Sequence, residues 1–210
     1  GENGVKKMAW RGAGLAGVLL VAGCIGSPGR ATEAMATFTL EASFPAKAAA
    51  PAAPAVLVAA LRARPGFDTE RMAYMRSPDQ IEYFARHRWV DAPARMLAPL
   101  MAQALESTGA FSAVVQAPTV ARGQWRLETE IVKLQQDFLQ QPSRVHVVLR
   151  AQLIDNLTQQ AVATRTFSVS VAAASEDARG GVRAANDAVR QLLPQLAQWC
   201  AASLGPAARK

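Results

Sequence analysis

From Trp125 to Ile131 the side chains alternate in kind. Trp125, Leu127, Thr129 and Ile131 fall on one side, and Arg126, Glu128 and Glu130 on the other. Successive side chains of a strand point to opposite faces, so this run predicts a strand packed on one face and wet on the other. A sheet of that kind needs a second layer to cover its apolar face. Strand-like runs at Val145 to Leu153 and Ala163 to Val171 follow, joined by Asp155-Asn156 and Gln159-Gln160, and predict an antiparallel meander. The cover comes from two helical stripes. Met96, Leu97, Leu100, Met101, Ala104 and Leu105 form the first, and Val182, Val189, Leu192, Leu193, Leu196 and Trp199 the second. Asp91 and Ser175 are the expected N-caps, and Gly109 the stop of the first helix. Pro99 predicts a kink or a fresh start in the first helix, and Pro194 a bend or early end in the second.

Upstream, Ala36 to Ala42 reads as a first strand with Phe38 and Leu40 on one face, and Pro45 to Pro54 as an Ala/Pro loop. Val56 to Arg62 predicts a second strand, turned out by Arg64-Pro65-Gly66. Arg71 to Met75 and Gln80 to Phe84 predict a hairpin about Ser77-Pro78-Asp79, and Phe111 to Gln116 one further strand. The expected fold is α/β (α+β-like): a single two-layer domain with a mixed/antiparallel sheet and two main helices packed against it.

The N-terminal stretch is of another kind. Lys6, Lys7 and Arg11 precede an apolar run from Ala13 to Ala22, which ends at Leu20-Val21-Ala22-Gly23-Cys24. About ten apolar residues suit an export signal, whereas a spanning helix needs roughly 20. The small residues before the thiol resemble a lipobox, which predicts cleavage between Gly23 and Cys24 and a diacylglyceryl group on Cys24. Ile25, and not Asp, follows; by resemblance to the sorting signals of diderm bacteria this implies the outer membrane. The expected organisation is a signal peptide at 1–23, a lipidated tether at 24–35, a domain at 36–202 and a flexible tail at 203–210. With Cys24 acylated, Cys200 is the only other cysteine, so no intramolecular disulfide can form and a hydrophobic core must hold the domain. Beside Trp199 in a helical pattern, Cys200 reads as a packed small side chain.

Residues 24–210 carry 20 Lys and Arg against 15 Asp and Glu. The excess is scattered, without the concentrated basic stripe of a nucleic-acid binder; isolated arginines of this kind read as a solvated surface, with a basic face able to approach anionic lipid headgroups as the alternative. No catalytic constellation emerges. Glu128 and Glu130 alternate with Arg126 on the wet face, whereas carboxylates in acid–base roles need one member desolvated. Ser112 and Ser143 lack a glycine-flanked elbow, and Gly180-Gly181 makes no phosphate-binding pattern. His87 and His146 lie far apart, and a metal site needs clustered ligands. The expectation is no enzyme, no metal and no cofactor beyond the lipid on Cys24. Tyr74, Tyr83 and Trp89 are the candidate partner-binding rings, against the competing reading that each packs between hairpin and first helix.

The order of these features resembles the auxiliary lipoproteins of ABC-type intermembrane lipid transport, the family of the paraquat-inducible operon C lipoprotein. After the lipobox the resemblance rests on Thr37-Phe38-Thr39-Leu40, Val56-Leu57-Val58, Arg64-Pro65, Met72-Ala73-Tyr74-Met75 and Ile81-Glu82-Tyr83-Phe84. Arg88-Trp89 with Asp91-Ala92-Pro93 completes it. The Trp-centred stretch is the most specific piece. A long Ala/Pro spacer and Pro99 depart from the pattern. The resemblance implies a non-enzymatic partner on the periplasmic face of the outer membrane. Its system would comprise an inner-membrane permease, an ATPase and a periplasmic lipid-binding protein of the mammalian-cell-entry (MCE) type, with phospholipid as cargo and envelope integrity as the outcome. A homo-oligomer is left open. The alternative is an envelope scaffold that binds peptidoglycan or outer-membrane assembly machinery.

Overall fold

The computed structural model describes residues 34–49, 53–121 and 123–204. The expected signal peptide, Cys24, most of the tether and most of the tail lie outside these residues. Nine strands form one sheet: β1 (Ala36–Phe38), β2 (Ala55–Val58), β3 (Arg62–Ala63), β4 (Arg71–Ser77), β5 (Gln80–Trp89), β6 (Ala113–Gln116), β7 (Trp125–Asp137), β8 (Arg144–Asp155) and β9 (Gln160–Ala172). Helix α1 (Pro93–Glu106) lies between β5 and β6, and α2 (Ala178–Leu204) follows β9. The single domain, mixed sheet and two packed helices agree with the fold expected from the sequence.

The long strand β7 is the spine. Along one edge it pairs antiparallel with β8 from end to end, and β8 pairs in turn with β9. Its other edge is shared by three short strands laid head to tail, all parallel to it. They are β2 opposite Trp125 to Leu127, β3 opposite Glu130 and Ile131, and β4 opposite Gln135 to Asp137. Outside β2 runs β6, parallel to it; outside β4 come β5, antiparallel to it, and then β1, parallel to β5. The single strand expected at Val56 to Arg62 is therefore two, interrupted at residues 59–61, because the chain steps along the spine between pairings.

The alternation read at 125–131 holds, with Leu127, Thr129 and Ile131 buried and Arg126, Glu128 and Glu130 part-exposed. A bulge then intervenes: Ile131 faces Leu149 and Lys133 faces Val148, which leaves Val132 as the extra residue. Beyond it the parity reverses, and Leu134 and Gln136 are buried opposite Val147 and Val145. Both helices cover one face of the sheet. Leu97, Met101 and Leu105 of α1, with Leu192, Leu193, Leu196 and Cys200 of α2, join Leu127, Ile131, Leu149, Leu153 and Phe167 in one core.

The helix ends differ from expectation by one or two residues. Ala92, with an extended backbone, is the N-cap of α1, because Pro93 at the first helical position needs no N–H partner. Asp91 stands one residue earlier. Its carboxylate accepts the Ala92 N–H at 2.7 Å and grips the Arg95 guanidinium, which holds that carboxyl below its ordinary range. In α2 the cap is Asp177 and not Ser175. Asp177 Oδ1 accepts the Gly180 N–H at 2.7 Å, and the Ser175 hydroxyl donates to that same oxygen. Neither internal proline ends its helix. The carbonyl four residues back belongs to Arg95 for Pro99 and to Arg190 for Pro194. Both arginines are on the exposed side, where water replaces the lost hydrogen bond. Ser203 and Leu204, expected in the tail, belong to α2.

Gly181 leaves room for the Gln136 side chain against the helix, since a Cβ there would sit 2.2 Å from Gln136 Oε1. Around it a buried polar group ties three segments. Gln136 Nε2 donates to Ser143 Oγ at 2.9 Å, and the Ser143 N–H donates to Glu176 Oε1 at 2.9 Å. Ser143 is thereby fully enclosed as a structural residue.

Three outcomes follow from this packing. Leu127→Ala, at a fully buried spine position, should cost about 2–5 kcal/mol in chemical denaturation. Asp177→Ala should cost about 1 kcal/mol at neutral pH. The Gly180 N–H and Ser175 hydroxyl lower the Asp177 pKa in the folded state, so its contribution is present at neutral pH and disappears as pH falls through that lowered value. Wild type and variant should therefore converge in acid. Cys200 is fully buried, and burial pushes its thiol up to about 12. In a chain carrying Cys24→Ser, a thiol reagent should label Cys200 only after denaturant is added.

Candidate functional site

The groups with any claim to chemistry are occupied structurally. Glu128 lies 3.5 Å from the Arg62 guanidinium and 3.2 Å from that of Arg126, and Glu130 lies 3.7 Å from Arg64. These carboxylates form an ion-paired ladder on the open face of the sheet. His146 Nε2 is 3.7 Å from Asp137 Oδ2, and partial burial outweighs that carboxylate to hold the imidazole pKa below its ordinary value. Ser112 is exposed at the start of the β6 segment, far in the chain from either histidine. Among the described residues no three of His, Cys, Asp and Glu gather as metal ligands, and no helix is long and apolar enough to cross a membrane.

The three rings singled out from the sequence have separate environments. Trp89 is buried in the core at 4% exposure, and its backbone N–H donates to the Glu70 carbonyl at 2.7 Å. Tyr83 is half-buried, donates its hydroxyl to the Gly66 carbonyl at 3.0 Å, and carries the Arg71 guanidinium 3.8 Å above its ring. Tyr74 donates to Glu82 Oε2 at 2.8 Å, and that bond raises the phenol pKa first, burial second.

Tyr74 is also one link in a chain of rings. Phe38 of β1 stacks on His87 at 5.9 Å, His87 meets the edge of Phe84, Phe84 lies 4.6 Å from Tyr74, and Tyr74 meets Phe138 edge-on at 5.9 Å. Arg179, in the first turn of α2, stands 5.6 Å from the Phe38 ring. Arg76 stands 5.0 Å from Tyr74 and 5.9 Å from Phe138 at the other end. Phe38, Phe84, His87 and Phe138 are half-buried, so the strip offers ring edges and faces to solvent along with two guanidinium groups. Beside it, Met35 and Leu139 are about half exposed, at 52% and 48%. Sequence reasoning found only Tyr74 of this set. The others come from positions 38 to 179 and share no spacing that could have announced them.

Behind the strip a cleft opens between β4, β7 and α2, lined by Met72, Phe84, Trp89, Leu134, Gln136 and Gly181. It encloses about 20 Å³, room for one water molecule and not for an acyl chain.

Comparison with known proteins adds the remaining evidence. None of the curated proteins matches the chain. Among solved structures, a protein from Xanthomonas campestris superposes with a TM-score of 0.71 at 21% identity, covering 83% of this chain and 99% of that one. An uncharacterised protein gives 0.65 at 13% identity, covering 80% and 99%. A hypothetical protein from Chlamydia trachomatis gives 0.51 at 10% identity, covering 74% and 99%. At such identities these likenesses concern the fold. The sequence match to a family is wider in meaning: the family described as the ABC-type transport auxiliary lipoprotein component matches residues 38–197, which is most of the described domain. Its members are non-catalytic auxiliaries, in keeping with carboxylates that are ion-paired and a serine that is locked in the interior. This chain belongs to the ABC-type transport auxiliary lipoprotein family.

Proposed function

We propose that the chain is a lipid-anchored adaptor on the periplasmic face of the outer membrane, serving an ABC-type transporter that moves phospholipid between membranes. The observation that supports it most is the family match over residues 38–197. Cys24, behind Leu20-Val21-Ala22-Gly23, supplies the anchor, and Ile25 the outer-membrane destination. More than one acyl chain, palmitate among them, gives stable anchoring at about 0.8 kcal/mol per buried methylene. The partners are an inner-membrane permease, its ATPase and a periplasmic lipid-binding protein of the MCE type, and the outcome is an intact envelope. Of the three sequence candidates, Tyr83 is half-buried and is the one left for partner contact, whereas Tyr74 and Trp89 are buried and serve packing.

Cys24→Ser should abolish incorporation of a labelled fatty acid and shift the chain from the membrane fraction to the soluble periplasm. Purification of the wild-type chain from crosslinked envelopes should recover the permease, ATPase or MCE-type protein. Reproducible recovery of peptidoglycan or assembly machinery in their place would overturn the transport reading in favour of a scaffold.

A further inference from the structure

The strip of rings lies at one particular end of the molecule. β4 is parallel to the spine, β5 antiparallel to β4, and β1 parallel to β5, so β1 runs antiparallel to β7. Followed backward from Ala36, β1 therefore points toward the end where β7 turns into β8. Phe138 and Leu139 occupy that turn, Arg76 lies over Phe138, and Met35 stands at the entry to β1. The described residues ahead of β1, Ala34 and Met35, thus lie toward the aromatic end. Only eleven residues lie between Cys24 and Ala36, a span of at most ~43 Å when fully extended.

The chemistry of this end is that of a bilayer interface. Aromatic rings sit with an apolar body and a polar edge at headgroup depth, while arginine stems lie on apolar surface and carry the guanidinium outward. Each basic side chain near an anionic surface contributes about 1 kcal/mol. Among the described residues neither Arg76 nor Arg179 joins an ion pair. Four carboxylates share this end: Glu82 accepts the Tyr74 hydroxyl, Asp137 faces His146, Glu176 holds the Ser143 N–H, and Asp177 caps α2 within the field of Arg179. The opposite end of the sheet has a different character. Val120 and Leu157 are exposed there without a ring beside them, at 101% and 90%.

We infer that Phe38, Phe84, His87, Phe138 and Leu139, with Arg76 and Arg179, form a docking face for an anionic phospholipid surface. It seats the domain upright on the bilayer that holds its own lipid, and points the Val120–Leu157 end toward the periplasm. The inference rests on Cys24 as the acylated residue, and not on which transporter the chain serves.

The test uses the whole chain from residue 24 with Cys24→Ser, so that protein surface alone decides binding. It is sedimented with vesicles of phosphatidylethanolamine and phosphatidylglycerol, and with vesicles of phosphatidylcholine. Partition should favour the anionic vesicles and drop at least about tenfold in Arg76→Gln/Arg179→Gln. The comparison pair Arg150→Gln/Arg165→Gln, on β8 and β9, should leave it unchanged. Circular dichroism and thermal melting confirm that all variants are folded. Equal partition onto neutral vesicles, no partition at all, or an equal loss in both pairs overturns the inference. So does a photocrosslinker at Leu139 that captures a protein and not lipid in intact envelopes. Since vesicle binding and transporter co-purification are read separately, either result can fail while the other stands.

Discussion

Backbone hydrogen bonding along β7 sets the position of every other element. Its 13 residues carry the full length of β8 on one edge and three short strands on the other. Strands of two to four residues such as β3 and β2 have too little of their own to persist. They are held because the spine gives each of them a stretch of edge to pair with and because α1 and α2 close over one face of the sheet. The arrangement also separates two ends. β2 and β6 widen the sheet near Trp125, whereas β4, β5 and β1 widen it near Asp137.

Local chemistry explains which parts of this were legible in the sequence. The meander was plain, because its strands are consecutive and one face of each is apolar. Both helices were visible as stripes, and their core residues are those the spacing named. Whether each helix continues through its proline was not legible, since that depends on whether the orphaned carbonyl meets water, and a pattern of types does not say which side of a helix is wet. The caps were misplaced for a related reason. Ser, Asp and their neighbours all offer oxygens, and only geometry shows that Asp177 reaches the Gly180 N–H while Ser175 supports it. The aromatic strip was the least legible feature. It is assembled from β1, β4, β5, the β7–β8 turn and α2, so it exists only once the parallel pairings to the spine are known.

The polar groups of the described residues serve the fold. Arginines neutralise the carboxylates of the open face, Ser143 is consumed in a buried tie between β7 and α2, and Cys200 is a core side chain whose raised pKa keeps it as a thiol. What the domain offers outward is shape and surface. One end has rings with guanidinium groups and the other has bare aliphatic tips, a division of labour suited to a body that touches different things at its two ends.

The bulge at Val132 has a consequence for how such a chain can change over time. It acts as a phase shifter: ahead of it the odd positions Leu127, Thr129 and Ile131 are buried, and beyond it the even positions Leu134 and Gln136 join the buried set. A one-residue loss or gain anywhere in β7 would keep one half of the spine in phase and turn the other inside out, exposing Leu134 or burying Lys133. The loops around Pro45 to Pro54 and residues 117–124 carry no such bookkeeping. Length variation among chains of this architecture should accumulate there, while the spine changes only by substitution.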